Sequence, residues 1–511
     1  MTLLIRNVRI LGGEKEFTGF SDVFVNGDTI SAIGSFPGKK ADVVLDGQGA
    51  YLTPGFIDAD SASDHYLTLF EGREQEDFLL QGVTTIIGGM CGASLAPLAY
   101  GTLESVQKWG DSSRINVNWH TVGEFLASLD AHPLAVNFGT LAGHATIRRA
   151  LIGEDLRDLT KNEMNVFARM VEESMVQGAF GLSTGLSYVH ARETPALELS
   201  FLADVVARFH GVYATHLRNE GKGIAASVDE TIRISEERRV KTLISHFMPL
   251  RGAEEEYQEA LRRIESLPDG VPLRFDAHPF PDSLLPIYTF LPEWARNGGV
   301  KVMRANIEDE WLASKIRRDM PMPDADHFII IDAPKNEVFA GKSLTEIAAI
   351  YELGDPRDAL IKLMTATNLK CSVLYRNIDD TLVSRAIKSE KSIIASNAPS
   401  WGRRGGRAAS QRFRPQRITS TFTTFLGRAA SGLMPLDAAV RKITSEPAAL
   451  FGLKGRGTIR EGAIADLACF RVDGTSNEPA EVLFTVVNGV VAESGGAFGG
   501  SFPGKILRHT V

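Results

Sequence analysis

The chain of 511 residues has little cysteine, no excess of positive charge and no long apolar run. Its three cysteines, Cys91, Cys371 and Cys469, give no disulfide framework, so we expect a reducing, cytoplasmic location. No apolar run reaches membrane-spanning length, and the first residues lack the basic and apolar regions of a signal peptide. The formal net charge of -8 argues against a nucleic-acid partner.

The remaining composition is that of an ordinary globular protein, with 44% hydrophobic and 23% charged residues. Such a chain can bury a large core. Length alone allows several domains, although α/β barrels also reach this size as single units.

In the middle of the chain, β-rich runs alternate with helical patterns, which indicates βαβ units and a parallel sheet. The predicted strands include 82–88, 135–138, 212–216, 242–246 and 391–397. Thr160 and Glu163 have the spacing of a capping box and predict the start of a helix.

Short β-rich runs also stand at both ends of the chain, and the Asn-Gly turn at 26–27 is typical of a hairpin. We therefore predict an α/β fold: a (β/α)8 barrel over residues 54–454, with a small β-sandwich built from residues 1–53 and 455–511. From 282 to 352 the pattern loosens, which predicts an insertion.

Three potential metal ligands, Cys91, His216 and His246, each follow a predicted strand. Strand ends of a β/α barrel face the mouth of the active site, so we expect them to lie together. A thiolate and two imidazoles suit a zinc ion, and three protein ligands form the open arrangement of a catalytic site. The alternative is a buried thiol with two structural histidines, and the three strand-end positions favour the metal site.

Two further features carry candidate binding residues. His144 could orient a substrate or support a metal ligand, and a structural histidine is an equal alternative. The segment from Gly402 to Arg417 has arginines at 403, 404, 407, 412, 414 and 417. These could hold a carboxylate, although a solvated loop or an interface patch suits most of them better.

The sequence Pro-Gly-Phe-Ile-Asp at 54–58 resembles the first barrel strand of the amidohydrolase superfamily. As an ordered set, several further segments resemble the N-acyl-D-amino-acid deacylases (D-aminoacylases) over nearly the whole chain. They are 81–98, 143–148, 178–188, 213–221, 244–246, 461–467 and 503–508.

The resemblance implies one zinc ion bound by Cys91, His216 and His246. It also implies that Tyr188 lines the pocket and that Arg417 grips a carboxylate of a small-molecule substrate. Arg417 stands in Pro-Gln-Arg, where the family has His-Pro-Arg.

Several positions depart from the family's pattern. Asp60 and Ala62 stand where the family has two metal-binding histidines, and Asn397 stands where it has a catalytic aspartate. Phe-Met at 247–248 replaces an expected lysine. An asparagine cannot accept the proton that the family's carboxylate takes from water, and such a base contributes about 10²–10⁴ in rate. Asp60 or Asp64, at the same mouth, could take its place.

Three functions follow as expectations. The first is metal-dependent hydrolysis of an amide-type bond in a small carboxylate-bearing substrate. The second is a catalytically degenerate pseudoenzyme that serves as a binding or assembly module, and a homo-oligomer is compatible with either. The third is a different reaction at the same site, such as cyclisation or group transfer.

Overall fold

Eight parallel strands form a barrel in the middle of the chain, as the alternating pattern predicts. The computed structural model describes residues 1–99, 103, 105–110, 115–297, 299–333, 336–402 and 413–510. The barrel strands are Phe56–Asp58, Val83–Gly88, Asn137–Thr140 with its continuation Ala142–Gly143, Gly181–Gly185, Val212–His216, Lys241–Ile244, Leu273–Ala277 and Ser392–Ile394. Neighbours in this order pair in parallel.

The barrel closes where its last strand meets its first. The backbone N–H of Asn397 donates to the carbonyl oxygen of Asp60 (2.8 Å), and Ser61 forms a parallel bridge with Ala398. The edges are therefore joined just beyond the strand ends, at the face where a β/α barrel carries its active site.

Amphipathic helices follow the barrel strands and pack against one another. The helix Glu254–Glu265 illustrates the pattern, since it buries Tyr257, Ala260, Leu261 and Ile264, which lie on one face. Helices outside the 283–375 segment are Thr68–Glu71, Glu76–Leu79, Val122–Asp130, His144–Ile152, Lys161–Val176, Val189–Arg192, Ala196–Arg208, Ile224–Arg238, Glu254–Glu265, Asp380–Lys388, Gln416–Thr419, Thr421–Arg428, the π-helix Ala429–Leu433, Leu436–Ile443 and Ser445–Phe451. Within the described ranges, none of the helices has the length and apolar character needed to cross a membrane.

A nine-stranded sheet combines both ends of the chain. Its strands are Thr2–Ile10, Ser21–Asn26, Thr29–Gly34, Val43–Asp46, Tyr51–Pro54, Leu467–Arg471, Glu481–Val487, Val490–Ser494 and Ala497–Phe498. The two ends meet where Leu52 pairs with Cys469 in antiparallel strands. The hairpin expected at 26–27 is confirmed, and Thr2–Ile10 is one strand with a register shift.

The segment from 283 to 375 has a core of its own. A three-stranded antiparallel sheet joins Ser283–Pro286, Phe328–Asp332 and Ser372–Tyr375. Its helices and turns are Ile287–Phe290, Glu293–Arg296, Gly299–Glu308, Glu310–Asp319, Glu337–Phe339, Leu344–Ile350 and Pro356–Ala366. A separate hydrophobic cluster runs from Ile287 to Val373, so the unit extends beyond the predicted end of the insertion at 352.

The predicted capping box is confirmed at the helix Lys161–Val176. The Thr160 hydroxyl accepts a hydrogen bond from the Glu163 N–H (3.3 Å), and the Glu163 carboxylate accepts one from the Thr160 N–H (2.7 Å). Phe167, Val171 and Met175 form the buried face.

We predict that Thr160→Ala lowers the free energy of unfolding by about 1 kcal/mol, since the first turn loses a side-chain acceptor for a backbone N–H. Chemical denaturation monitored by circular dichroism measures this. The control is Asn165→Ala, at an exposed position of the same helix, where alanine is the better helix former and no loss is expected. Equal losses in both variants would contradict a capping role.

Candidate active site

Cys91, His216 and His246 come together at the mouth of the barrel. One ligand atom from each residue lies within 4.8 Å of the others, and Cys91 Sγ is 3.5 Å from His246 Nε2. The two imidazole rings have centroids 4.2 Å apart. Three soft or borderline donors this close can bind one divalent metal ion, so the residues present fit the predicted ion.

The backbone at this site is held in an unusual conformation. Cys91 (φ 52°), His246 (φ 36°) and Asn397 (φ 47°) are all in the left-handed region. That region disfavours residues with a Cβ, apart from asparagine and aspartate, and such strain concentrates at functional sites. The chain therefore turns sharply after the second, sixth and eighth strands, and each turn places a side chain at the mouth.

Glu220 holds both histidines and was not predicted. Its Oε2 lies 3.1 Å from His216 Nε2, and its Oε1 lies 3.1 Å from His246 Nδ1. Burial raises the pKa of Glu220, but the two histidines outweigh this and hold the pKa well below its usual range. Burial lowers the pKa of His246, whereas Cys91 and Glu220 raise it, so that the net pKa lies well above the usual value.

The pKa of the Cys91 thiol is low for a buried cysteine. Burial raises its pKa, but hydrogen bonds from His216 and His246 hold it at about 7. Because the thiolate is the form that binds a metal, this environment favours the ligand state. By contrast, burial raises the pKa of Cys469 to about 12.

A cavity of about 490 Å³ opens in front of these three residues. Tyr188 and Arg417 line it together with Asp60, Ala62 and Asn397. The Tyr188 ring lies beside His216, with centroids 5.1 Å apart. The cavity thus brings together the three predicted metal ligands and most of the positions that depart from the family's pattern.

Asp60, Asn397 and Arg417 form one hydrogen-bonded chain. Asn397 Nδ2 donates to Asp60 Oδ2 (3.1 Å), and Asn397 Oδ1 accepts from Arg417 Nη2 (3.1 Å). This fixes the orientation of the amide, because its nitrogen must face the carboxylate and its oxygen the guanidinium. The neutral amide of Asn397 therefore lies directly beside a carboxylate, that of Asp60.

Arg417 is buried and uses most of its donors within the protein. Its Nε donates to Ser396 O (2.9 Å) and its Nη1 to Asp282 O (3.1 Å). Its Nη2 contacts both the backbone and the side-chain oxygen of Asn397. These four hydrogen bonds occupy most of the five N–H donors of the guanidinium. Arg417 therefore has little capacity left to bind a carboxylate in bidentate fashion.

Other candidate residues lie away from the cavity. His144 is fully buried and paired with Glu198 (2.8 Å), and Asp64 accepts from the Gly89 N–H (2.6 Å). Neither lines the cavity, so their geometry favours structural roles. Of the six arginines, those at 403, 404, 407 and 412 lie outside the described residues, and Arg414 pairs with Asp77.

Comparisons with known proteins identify relatives that match almost the whole chain. Residues 415–492 match an amidohydrolase family model. The chain is 30% identical to a D-aminoacylase of Alcaligenes xylosoxydans xylosoxydans, with 99% of this chain and 98% of that protein covered. It is also 30% identical to an N-acyl-D-glutamate deacylase of the same organism, covering 89% and 84%. A solved N-acyl-D-glutamate deacylase from Bordetella bronchiseptica, complexed with zinc and a phosphonate mimic of the tetrahedral intermediate, matches with a TM-score of 0.78 at 25% identity over 99% of both chains.

We predict that Glu220→Gln weakens metal binding by about tenfold to a hundredfold, because residues that orient metal-binding histidines typically contribute that much. Competition between the protein and a chromogenic chelator for Zn²⁺ measures the affinity.

The control for this measurement is Glu154→Gln, which changes a carboxylate elsewhere in the same cavity. It should leave the Zn²⁺ affinity unchanged. An unaltered affinity in Glu220→Gln would mean that the carboxylate does not support the ligands.

Proposed function

The chain belongs to the D-aminoacylase family of metal-dependent amidohydrolases, and we propose that it hydrolyses the amide bond of an N-acyl-D-amino acid. The observation that carries the proposal is the cluster of Cys91, His216 and His246 facing a cavity that also contains Asp60. A metal-binding group and a carboxylate in one cavity are the two elements that hydrolysis of an unreactive amide needs.

One zinc ion is the proposed cofactor. Cys91, His216 and His246 would bind it, with Glu220 orienting both imidazoles. Zinc supplies a Lewis acid that polarises a carbonyl and makes water more acidic. Ala62, which has no ligand atom, stands at one of the two first-strand histidine positions, and this supports a single ion rather than a pair.

Asp60 is the proposed proton acceptor. It would take a proton from the attacking water and deliver it to the leaving nitrogen as the C–N bond breaks, which yields the free amine and the carboxylic acid. Asn397 cannot accept that proton, but its Nδ2 donates to Asp60 Oδ2. The amide thus positions the carboxylate, while Arg417 holds the amide in place from the other side.

We predict that the purified protein contains about one zinc per chain and hydrolyses N-acetyl-D-amino acids in preference to their L-enantiomers. Metal analysis by mass spectrometry and a ninhydrin assay of the released amine give the two readouts. Cys91→Ala should lose the zinc and the activity together.

The matched control is Cys469→Ala, in the terminal sheet, which should retain the metal. Metal-free protein with unchanged behaviour in Cys91→Ala would refute the zinc site. Bound zinc without turnover of any N-acyl substrate would favour the alternative of a pseudoenzyme.

We also predict that Asp60→Asn lowers kcat by about 10²–10⁴, the usual contribution of a general base, with the zinc content unchanged. Asp64→Asn is the control and should retain most of the activity. The exchange variant Asp60→Asn/Asn397→Asp returns a carboxylate to the other end of the same hydrogen bond and should recover part of kcat. A normal kcat in Asp60→Asn would exclude Asp60 as the base.

A further inference from the structure

Two residues of the cavity wall, Arg149 and His190, carry hydrogen-bond donors that the proposed hydrolysis does not use. Both line the cavity, and His190 stands two residues after Tyr188. The Tyr188 ring lies parallel to the His190 ring, with centroids 6.4 Å apart, and its centroid is 5.1 Å from that of His216. A ligand held at the metal-binding residues can therefore extend along Tyr188 to this wall.

The charge of Arg149 is already balanced within the protein. Its Nε donates to Glu154 Oε1 (2.8 Å), and its Nη2 lies 3.4 Å from Glu154 Oε2, so the guanidinium and the carboxylate form an ion pair. The Nη1 atom of Arg149 is buried and has no hydrogen-bond partner among the described residues. A ligand at this position needs to supply an acceptor atom, but no counter-charge.

His190 supplies a neutral donor beside Arg149. Because a guanidinium can only donate, the 3.1 Å contact from Arg149 Nη2 makes His190 Nδ1 the acceptor and leaves the imidazole proton on Nε2. Burial, together with the positive charge of Arg149, holds the pKa of His190 well below its usual value, which keeps the ring neutral. Nε2 is also buried, and none of the described residues bonds to it.

This wall of the cavity therefore offers donors with little net charge. Burial and Arg149 also lower the pKa of the neighbouring Lys108 well below its usual value, which favours the neutral amine. A carbonyl oxygen has two lone pairs, so it can accept from both Arg149 Nη1 and His190 Nε2. A carboxylate would have to give up its hydration without gaining a free counter-charge, because Glu154 already holds the guanidinium.

We propose that Arg149 and His190 bind the carbonyl oxygen of a second amide in the acyl group, so that the substrate is a short peptide-like molecule ending in a D-amino acid. This inference rests on the proposed function. An added residue extends the acyl chain by about 3.3–3.6 Å, whereas an acetyl group ends one carbon beyond the scissile carbonyl. Hydrolysis breaks the C–N bond of the D-residue, and water supplies the hydroxyl of the released N-acylamino acid and a proton of the released amine.

The test uses four derivatives of D-alanine whose acyl groups have the same length. The N-acetylglycyl group carries the second amide, and the levulinoyl group keeps its carbonyl oxygen but lacks the N–H. The pentanoyl group has neither, and the succinyl group ends in a carboxylate. With the zinc-loaded enzyme, we expect kcat/KM for the N-acetylglycyl and levulinoyl compounds to exceed that for the other two by about tenfold, mainly through a lower KM.

Two variants each remove one donor. Arg149→Lys keeps a positive charge beside Glu154 but removes Nη1, and His190→Phe keeps a ring but removes Nε2. Each should raise KM for the N-acetylglycyl compound by about tenfold and change KM for the pentanoyl compound less than about twofold. Lys301→Met is the control, since Lys301 is an exposed lysine that also lines the cavity, and it should leave the preference intact.

A third variant tests the argument from charge. Glu154→Gln removes the carboxylate that balances Arg149, so the ratio of kcat/KM for the succinyl compound to that for the N-acetylglycyl compound should rise by about tenfold. An unchanged ratio would overturn the assignment of a neutral acceptor. Equal kcat/KM for the levulinoyl and pentanoyl compounds would overturn the proposal, as would losses in Arg149→Lys that fall on all four compounds alike.

A binding measurement separates this proposal from the proposed function. N-acetylglycine and pentanoate, which correspond to two of the released acids, are titrated calorimetrically into the zinc-loaded wild type and Arg149→Lys. Tighter binding of N-acetylglycine that is lost in Arg149→Lys supports the subsite even if no amide is hydrolysed. Turnover of N-acetyl-D-amino acids together with equal binding of both acids retains the function and refutes the subsite.

Discussion

The contact between Asp60 and Asn397 helps to join the last barrel strand to the first, and it places a carboxylate beside an amide at the mouth of the barrel. The backbone of Asn397 bonds to the backbone of Asp60, and their side chains bond to each other. Asp58 supports the same seam, because its carboxylate accepts a hydrogen bond from the Ser396 N–H (3.0 Å). A closed barrel joins its last strand to its first, which keeps these two positions adjacent. The neutral side chain at 397 and the carboxylate at 60 therefore belong to one contact.

The site residues that could be predicted from the sequence are those that lie at the ends of regular strands. Cys91, His216 and His246 follow strands with recognisable β-rich runs, and barrel geometry brings such strand ends together. The Gly181–Gly185 strand was missed because glycine is depleted in strands. Its glycines are required by close packing: a Cβ at Gly181 would lie 1.8 Å from Val212 O, and one at Gly185 would lie 2.2 Å from Cys91 O. The strand preferences of single residues carry no information about such a close backbone contact.

Glu220 could not be predicted for a different reason. It lies outside regular strands and helices, so no sequence period relates it to the histidines that it contacts. The only signal for Glu220 was its place in the segment 213–221, four residues after His216. Its partnership with His246 depends on the turn after the sixth strand, where His246 has a positive φ. Such turns depend on tertiary contacts more than on local propensity.

Most buried charged groups around the cavity have a hydrogen-bond partner within the protein. Each buried carboxylate near the metal-binding residues has a protein partner: Glu220 has two histidines, and Asp60 has Asn397. Arg417 is similarly saturated. Other residues that line the cavity carry buried polar atoms with no partner among the described residues: Arg149 Nη1, His190 Nε2 and His278 Nδ1. Because a buried polar atom without a hydrogen bond is costly to the folded chain, these are the positions where a bound ligand gains most from a hydrogen bond.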